Sequence, residues 1–172
     1  MKDINKSLEL WLNDLTKYEL TQYEKLPDID LYMDQVITYL EKQLRTFQLS
    51  SLDKQITSSM INNYVKGEVI PSPSAKRYSK EHIALILEVC LLKKALSISN
   101  IKTILDSSFK DTDFNNTYND FAKDSSKTLH KVADDTLESL KNVETNDQKA
   151  LLDLALKLSL EANANMLIAE RI

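Results

Sequence analysis

A single glycine in 172 residues is the feature that most restricts what this chain can fold into. It is Gly67, and two of the three prolines, Pro71 and Pro73, follow it closely. Glycine and proline ordinarily supply roughly 7 % and 5 % of a protein. With breakers this scarce, the backbone has few places where leaving a helix costs little. The sequence therefore predicts an all-α protein with one local exception, the stretch from Ile56 to Ile83.

Within that stretch Thr57 or Ser58 offers a capping hydroxyl, and Met60, Ile61, Tyr64 and Val65 recur at helical spacing. Gly67 is then expected to end the helix with a positive φ, which glycine adopts without steric cost. The opposite face carries Ser58, Ser59, Asn62, Asn63 and Lys66. Hydroxyls, amides and a cation are the groups that contact base edges and phosphates. Any solvated helix face is polar, but two adjacent asparagines in mid-helix run against helix propensity and point to a contact role. Glu68-Val69-Ile70 and Ala75-Lys76-Arg77-Tyr78 are expected to pair as two short strands around Pro71-Ser72-Pro73-Ser74, because proline cannot donate to a ladder. Ser79 caps the next helix, with Glu81 in its first turn, where the helix dipole favours an anion.

Ile61-Asn62-Asn63-Tyr64, Val69-Ile70-Pro71 and Lys76-Arg77-Tyr78-Ser79 together resemble the DNA-binding head of MerR-type transcription regulators. That head has an Ile-Arg-Tyr-Tyr recognition helix, an apolar pair before proline, a wing, and a Tyr-Ser/Thr cap. The Met-Ile-Asn-Asn-Tyr-Val-Lys core also resembles an uncharacterised bacterial family, domain of unknown function 1836. The resemblance spans about residues 30 to 105. Asn62 stands where the MerR head has arginine, Asn63 where it has its first tyrosine, Glu68 in the place of its glycine, and Lys76 in that of the wing arginine. The resemblance implies a winged helix-turn-helix head that binds double-stranded DNA through Ser58, Ser59, Asn62, Asn63, Lys66, Lys76, Arg77 and Tyr78.

Charge distribution agrees in sign. The formal charge is −4 overall, yet residues 54–94 hold 7 basic and 3 acidic side chains, a local +4 on the segment that would face DNA. Flanking segments read as amphipathic helices. Ile4, Leu8, Trp11, Leu12, Leu15 and Tyr18 mark one from residue 4 to about 24, and Met33, Val36, Ile37, Leu40, Leu44 and Phe47 mark a second, capped by Asp28 or Asp30. A polar connection, Gln48 to Gln55, follows. Lys80 to about Ala95 is apolar in nearly every direction and is expected at the centre of the head. Ser97 or Ser99 caps a short helix through Ile101, Ile104 and Leu105. Beyond it, two long periodic segments form a helical hairpin, with a break open near Asp124-Ser125-Ser126 and a turn and cap at Glu144-Thr145-Asn146-Asp147. The expected organisation is an N-terminal helix (1–29), a winged helix-turn-helix head with a small β-wing (30–106) and a C-terminal helical hairpin (107–172), which either packs on the head and the first helix or serves as a homodimer or partner contact.

Several chemistries find no footing. Asp111-Thr112-Asp113-Phe114-Asn115-Asn116 begins like a calcium loop, but its sixth position is not glycine and its twelfth, Ala122, is not glutamate. His82 and His130, the two histidines, have no partners at zinc-ligand spacing. One glycine leaves no phosphate-binding loop, and no serine-nucleophile motif is present. Cys90 sits in an apolar run and reads as an inert core thiol. No apolar run approaches the roughly 18 residues of a membrane span. The expectation is a cytoplasmic, non-enzymatic DNA-binding regulator without cofactor or metal; the alternative is a protein–protein interaction module of the same shape.

Overall fold

Apolar periodicity translates into helix almost everywhere. The computed structural model describes residues 4–47, 56–108, 113–144 and 147–172. They form seven helices, α1 (Ile4–Leu15), α2 (Met33–Gln43), α3 (Ser58–Lys66), α4 (Lys80–Leu92), α5 (Ile98–Ser108), α6 (Phe114–Leu140) and α7 (Gln148–Ala169), and two short strands, β1 (Leu31–Tyr32) and β2 (Arg77–Tyr78). Two compact units result, one of residues up to Glu19 together with Lys123–Ile172, the other of Leu20–Ala122. None of the described helices is long and apolar enough to cross a membrane.

The 20–122 unit is built on α4. Every residue from Ile83 to Cys90 is buried, as an all-round apolar helix requires. Helix α2 packs against α3, α4 and both strands, and contributes Val36 and Leu40 to the core, with Leu44 following at its C-cap. Helix α3 adds Ile61 and Tyr64, α5 adds Ile101 and Leu105, and the first turns of α6 add Tyr118 and Ala122. Residue Ser97, not Ser99, caps α5, accepting from the Asn100 N–H at 3.2 Å.

Helix α1 stops at Leu15, well short of residue 24. Leu20, Tyr23 and Leu26 are buried in the other unit, so the chain must leave the first helix to deliver them. Tyr23 meets Phe114 and Tyr118 edge-on, at 5.6 and 6.1 Å between centroids. The cap of α2 also differs from expectation. Leu31 and Tyr32 are extended, so Tyr32 becomes the N-cap, and its N–H donates to Gln35 Oε1 at 2.9 Å. Asp28 instead pairs with Lys80 at 3.2 Å.

The largest correction concerns the strands. Arg77–Tyr78 does not pair with Glu68-Val69-Ile70 but with Leu31–Tyr32, antiparallel, in the register Leu31↔Tyr78 and Tyr32↔Arg77. Val69 and Ile70 cannot serve as strand, because both N–H groups point at the Tyr64 carbonyl (2.9 and 3.4 Å) and both side chains are buried. The tight turn before β2 lies at Ala75-Lys76 rather than across the prolines. Both residues have positive φ (47° and 63°), and Arg77 N–H donates to Ser74 O at 2.8 Å, the signature of a type I′ turn.

The second unit packs α1 against α7 and the later turns of α6. Leu12 and Leu15 meet Ala133 and Leu140, with Leu8, Leu137, Leu151 and Leu154 around them. Helix α6 is continuous through Asp124-Ser125-Ser126, and Ser126 is buried. Asp147 caps α7, accepting from Ala150 N–H at 3.0 Å. The polar connection 48–55, residues 111–112 of the calcium-like stretch, and 145–146 of the hairpin turn lie outside the described residues.

One residue of the buried run on α4 breaks its apolar pattern. Glu88 on α4 is 2 % exposed, and its Oε2 has no hydrogen-bond partner. Desolvation pushes its pKa from 4.5 up to about 8. The folded state therefore binds this proton more tightly than the unfolded chain does. Its stability falls as pH rises from about 4.5 to about 8. Glu88→Leu removes the ionisable group, so it is expected to raise stability more at pH 8.5 than at pH 5, by a difference of roughly 1–3 kcal/mol. Urea unfolding at the two pH values measures this, and an equal increment at both counts against a buried, neutral Glu88.

Candidate nucleic-acid interface

Helix α3 begins where the hydroxyl of Thr57 accepts from Met60 N–H at 3.3 Å, resolving the choice between Thr57 and Ser58. Ile61 and Tyr64 face the core; Ser58, Ser59, Asn62, Asn63 and Lys66 are exposed together on the other side. Among the described residues, none of these five side chains makes a hydrogen bond or an ion pair.

The helix ends one residue later than glycine chemistry suggested. Gly67 has φ −79° and is an ordinary C-cap; the left-handed residue is Glu68, with φ 55°. Glu68 N–H donates to Val65 O at 3.0 Å and Val69 N–H to Tyr64 O at 2.9 Å, the paired bonds of a Schellman motif. A side chain at 67 would be tight rather than forbidden. A Cβ there would lie 3.2 Å from the Asn63 carbonyl oxygen, which accepts the Gly67 N–H. Lys102 steadies the turn, with Nζ 2.6 Å from the Glu68 carbonyl oxygen and 3.5 Å from its carboxylate.

The ribbon carries the second group. Lys76 is exposed at the turn. Arg77 is exposed as well, but it is held in place. Its Nη2 and Nε donate to the Tyr32 hydroxyl at 2.9 and 3.2 Å, and its guanidinium lies 5.0 Å over the Tyr32 ring. Tyr32 was not foreseen as part of this group, because only the observed register places it beside Arg77. Tyr78 is 3 % exposed and packs edge-on against His82, so it anchors the ribbon from inside and offers no surface. The candidate side chains thus fall into two exposed sets, on α3 and on the ribbon, and both elements rest on α2.

At the start of α4, Ser79 N–H donates to His82 Nδ1 at 3.1 Å, and the Ser79 hydroxyl donates to Glu81 Oε2 at 2.6 Å. The Tyr23 hydroxyl donates to Glu81 Oε1 at 2.7 Å. Those two bonds, Ser79 first, hold the Glu81 carboxyl below its usual range. With Glu88 buried, Glu68 and Glu81 are the acidic side chains that segment 54–94 shows to solvent.

A family model described as Domain of unknown function (DUF1836) matches residues 21–123. No curated protein and no solved structure matches the chain. The matched span coincides within a residue at each end with the 20–122 unit, so the family corresponds to the part that carries both exposed sets.

Three residues other than glycine sit in left-handed backbone at these turns, Glu68, Ala75 and Lys76. Glu68→Gly and Ala75→Gly are each expected to raise unfolding free energy by about 0.5–1 kcal/mol, since relief of the Cβ clash exceeds the added unfolded-state entropy. Chemical denaturation of both variants checks this; a loss of stability in Glu68→Gly counts against the observed helix end.

Proposed function

The chain belongs to the DUF1836 family, and we propose that it is a DNA-binding transcription regulator whose head is a winged helix-turn-helix. In this reading α3 is the recognition helix, α2 supports it, and the Leu31–Tyr32/Arg77–Tyr78 ribbon with its Ala75-Lys76 turn is the wing. The observation that carries the proposal is the exposed face of α3. Five polar side chains capable of base or phosphate contacts stand there without intramolecular partners among the described residues. A polar face serving only solubility has no need of two mid-helix asparagines. Asn62 and Asn63 are suited to bidentate contact with adenine, while Ser58, Ser59 and Lys66 are suited to the backbone. Arg77, oriented by Tyr32, and Lys76 supply phosphate contacts from the wing.

The partners in this reading are double-stranded DNA and a second copy of the chain. Support for the second comes from α7, where Leu152, Leu156, Leu160 and Leu167 are each about 60 % exposed or more and recur on one side of the helix. A two-fold pair would present two heads to half-sites about 34 Å apart.

Base contacts and phosphate contacts fail differently. Lys76→Ala with Arg77→Ala is expected to weaken binding to every duplex and to flatten the slope of log affinity against log salt by about 2. Asn62→Ala is expected to spare non-specific binding while losing roughly 1–3 kcal/mol of preference for the cognate site. Fluorescence anisotropy across a salt series, on duplexes selected by the protein and on scrambled ones, measures both. Absence of duplex binding by the wild type at low salt would replace the regulator with the protein–protein interaction module. Leu156→Asp with Leu160→Asp is expected to convert a dimer into a monomer by light scattering; a wild type already monomeric at high concentration removes the dimer.

A further inference from the structure

The 20–122 unit contains a groove of about 450 Å³, the size of a small-molecule site. Its walls are apolar, formed by Val65 at the end of α3, Leu85 on α4, Leu105 on α5 and Phe114 at the start of α6. Glu68, Glu81 and Asp106 also line it, and among the described residues no lysine or arginine does. We infer that this groove binds a small organic cation with an apolar body, such as an aryl-alkyl ammonium. The inference goes beyond DNA binding and stands whether or not α3 meets a duplex.

Charge complementarity selects the occupant. An anion would face the carboxylates of Glu81 and Asp106, with Glu68 paired to Lys102, and a neutral apolar molecule would leave them unused. A cation with a flat hydrocarbon body satisfies both the walls and the acids. Of these acids Glu81 is the one whose carboxylate is held in place. Glu81 is fixed by the hydroxyls of Ser79 and Tyr23 at 2.6 and 2.7 Å, each donating to a different oxygen. Tyr23 in turn stacks edge-on against the lining residue Phe114, 5.6 Å between centroids. Glu68 is set at the groove by the left-handed turn, a backbone conformation disfavoured for glutamate. Lys102 reaches Glu68 at 3.5 Å, which neutralises one carboxylate and leaves Glu81 and Asp106 for the ligand.

The test uses the full chain and three probes of one shape, naphthylmethylammonium, naphthylmethanol and naphthoate, followed by calorimetry and by methyl shifts of Val65, Leu85 and Leu105. The ammonium is expected to saturate and to move those methyl signals, with the alcohol weaker and the carboxylate without effect. Glu81→Gln with Asp106→Asn is expected to weaken the ammonium by roughly three- to tenfold while leaving the alcohol unchanged, as for two solvent-facing ion pairs. If loss of the Tyr23 bond unfolds the double variant, Asp106→Asn alone carries the test, with a smaller loss in the same direction. Equal affinity for alcohol and ammonium, or ammonium binding insensitive to these substitutions, overturns the inference. So does failure of the ammonium to saturate, including the case where a basic amphipathic peptide binds the groove instead.

Discussion

Much of the 20–122 unit depends on how α3 is closed. The Tyr64 carbonyl takes the N–H groups of Val69 and Ile70, and Glu68 turns left-handed between them. That closure reverses the chain tightly enough to drive Val69 and Ile70 into the core, 5 % and 1 % exposed. Once their N–H groups are engaged, this segment is lost as a strand, and Arg77–Tyr78 finds its ladder partner before α2 instead. The same turn fixes where the exposed face of α3 ends and sets Glu68 in the groove. A left-handed glutamate costs of the order of 1–2 kcal/mol relative to a relaxed backbone. Lys102, bonded to the Glu68 carbonyl at 2.6 Å, and the burial of Val69 and Ile70 offset that cost.

The buried helix α4 is the second dependency. Because it is covered on every side, the elements around it need only one apolar stripe each, and α3 is free to keep a wholly polar outer face. Tolerance of Glu88 in such a helix follows from its protonation. A neutral carboxyl costs far less to bury than a carboxylate, and desolvation enforces the neutral form up to about pH 8. The local excess of positive charge in segment 54–94 is correspondingly greater at the surface than the formal count of charges.

The two ends of the chain obey simpler rules. Leu8, Leu12 and Leu15 on α1 find Ala133, Leu137 and Leu140 on α6 by matching apolar stripes, while α7 uses Leu151 and Leu154 and leaves another leucine row exposed. A helix with leucines on two sides has more apolar surface than one neighbour covers, which is the physical basis for a second copy of the chain in the proposed regulator.

Scarcity of glycine and proline, with periods of three and four, is enough to find the helices though not where α1 ends, and the cap at Ser79, the buried course of Ile83–Cys90 and the polar face of α3 are legible in the same way. These are local properties, decided by side-chain preference and by spacing along one element. The left-handed position, the partner of β2 and the fate of Tyr78 were not legible. Gly67 is the residue whose own energetics favour a positive φ, yet the Schellman bonds require it one residue later, at Glu68. Arg77–Tyr78 pairs with Leu31–Tyr32 because the N–H groups of Val69 and Ile70 are committed to a helix end, a commitment no sequence pattern announces. Glu88 was invisible among its apolar neighbours for the same reason, since burial belongs to the packed unit and not to the residue. Spacing along the chain sets where most of the helices run and which of their faces are polar. The tertiary structure decided who receives each backbone hydrogen bond, because only the folded chain brings competing donors to one carbonyl.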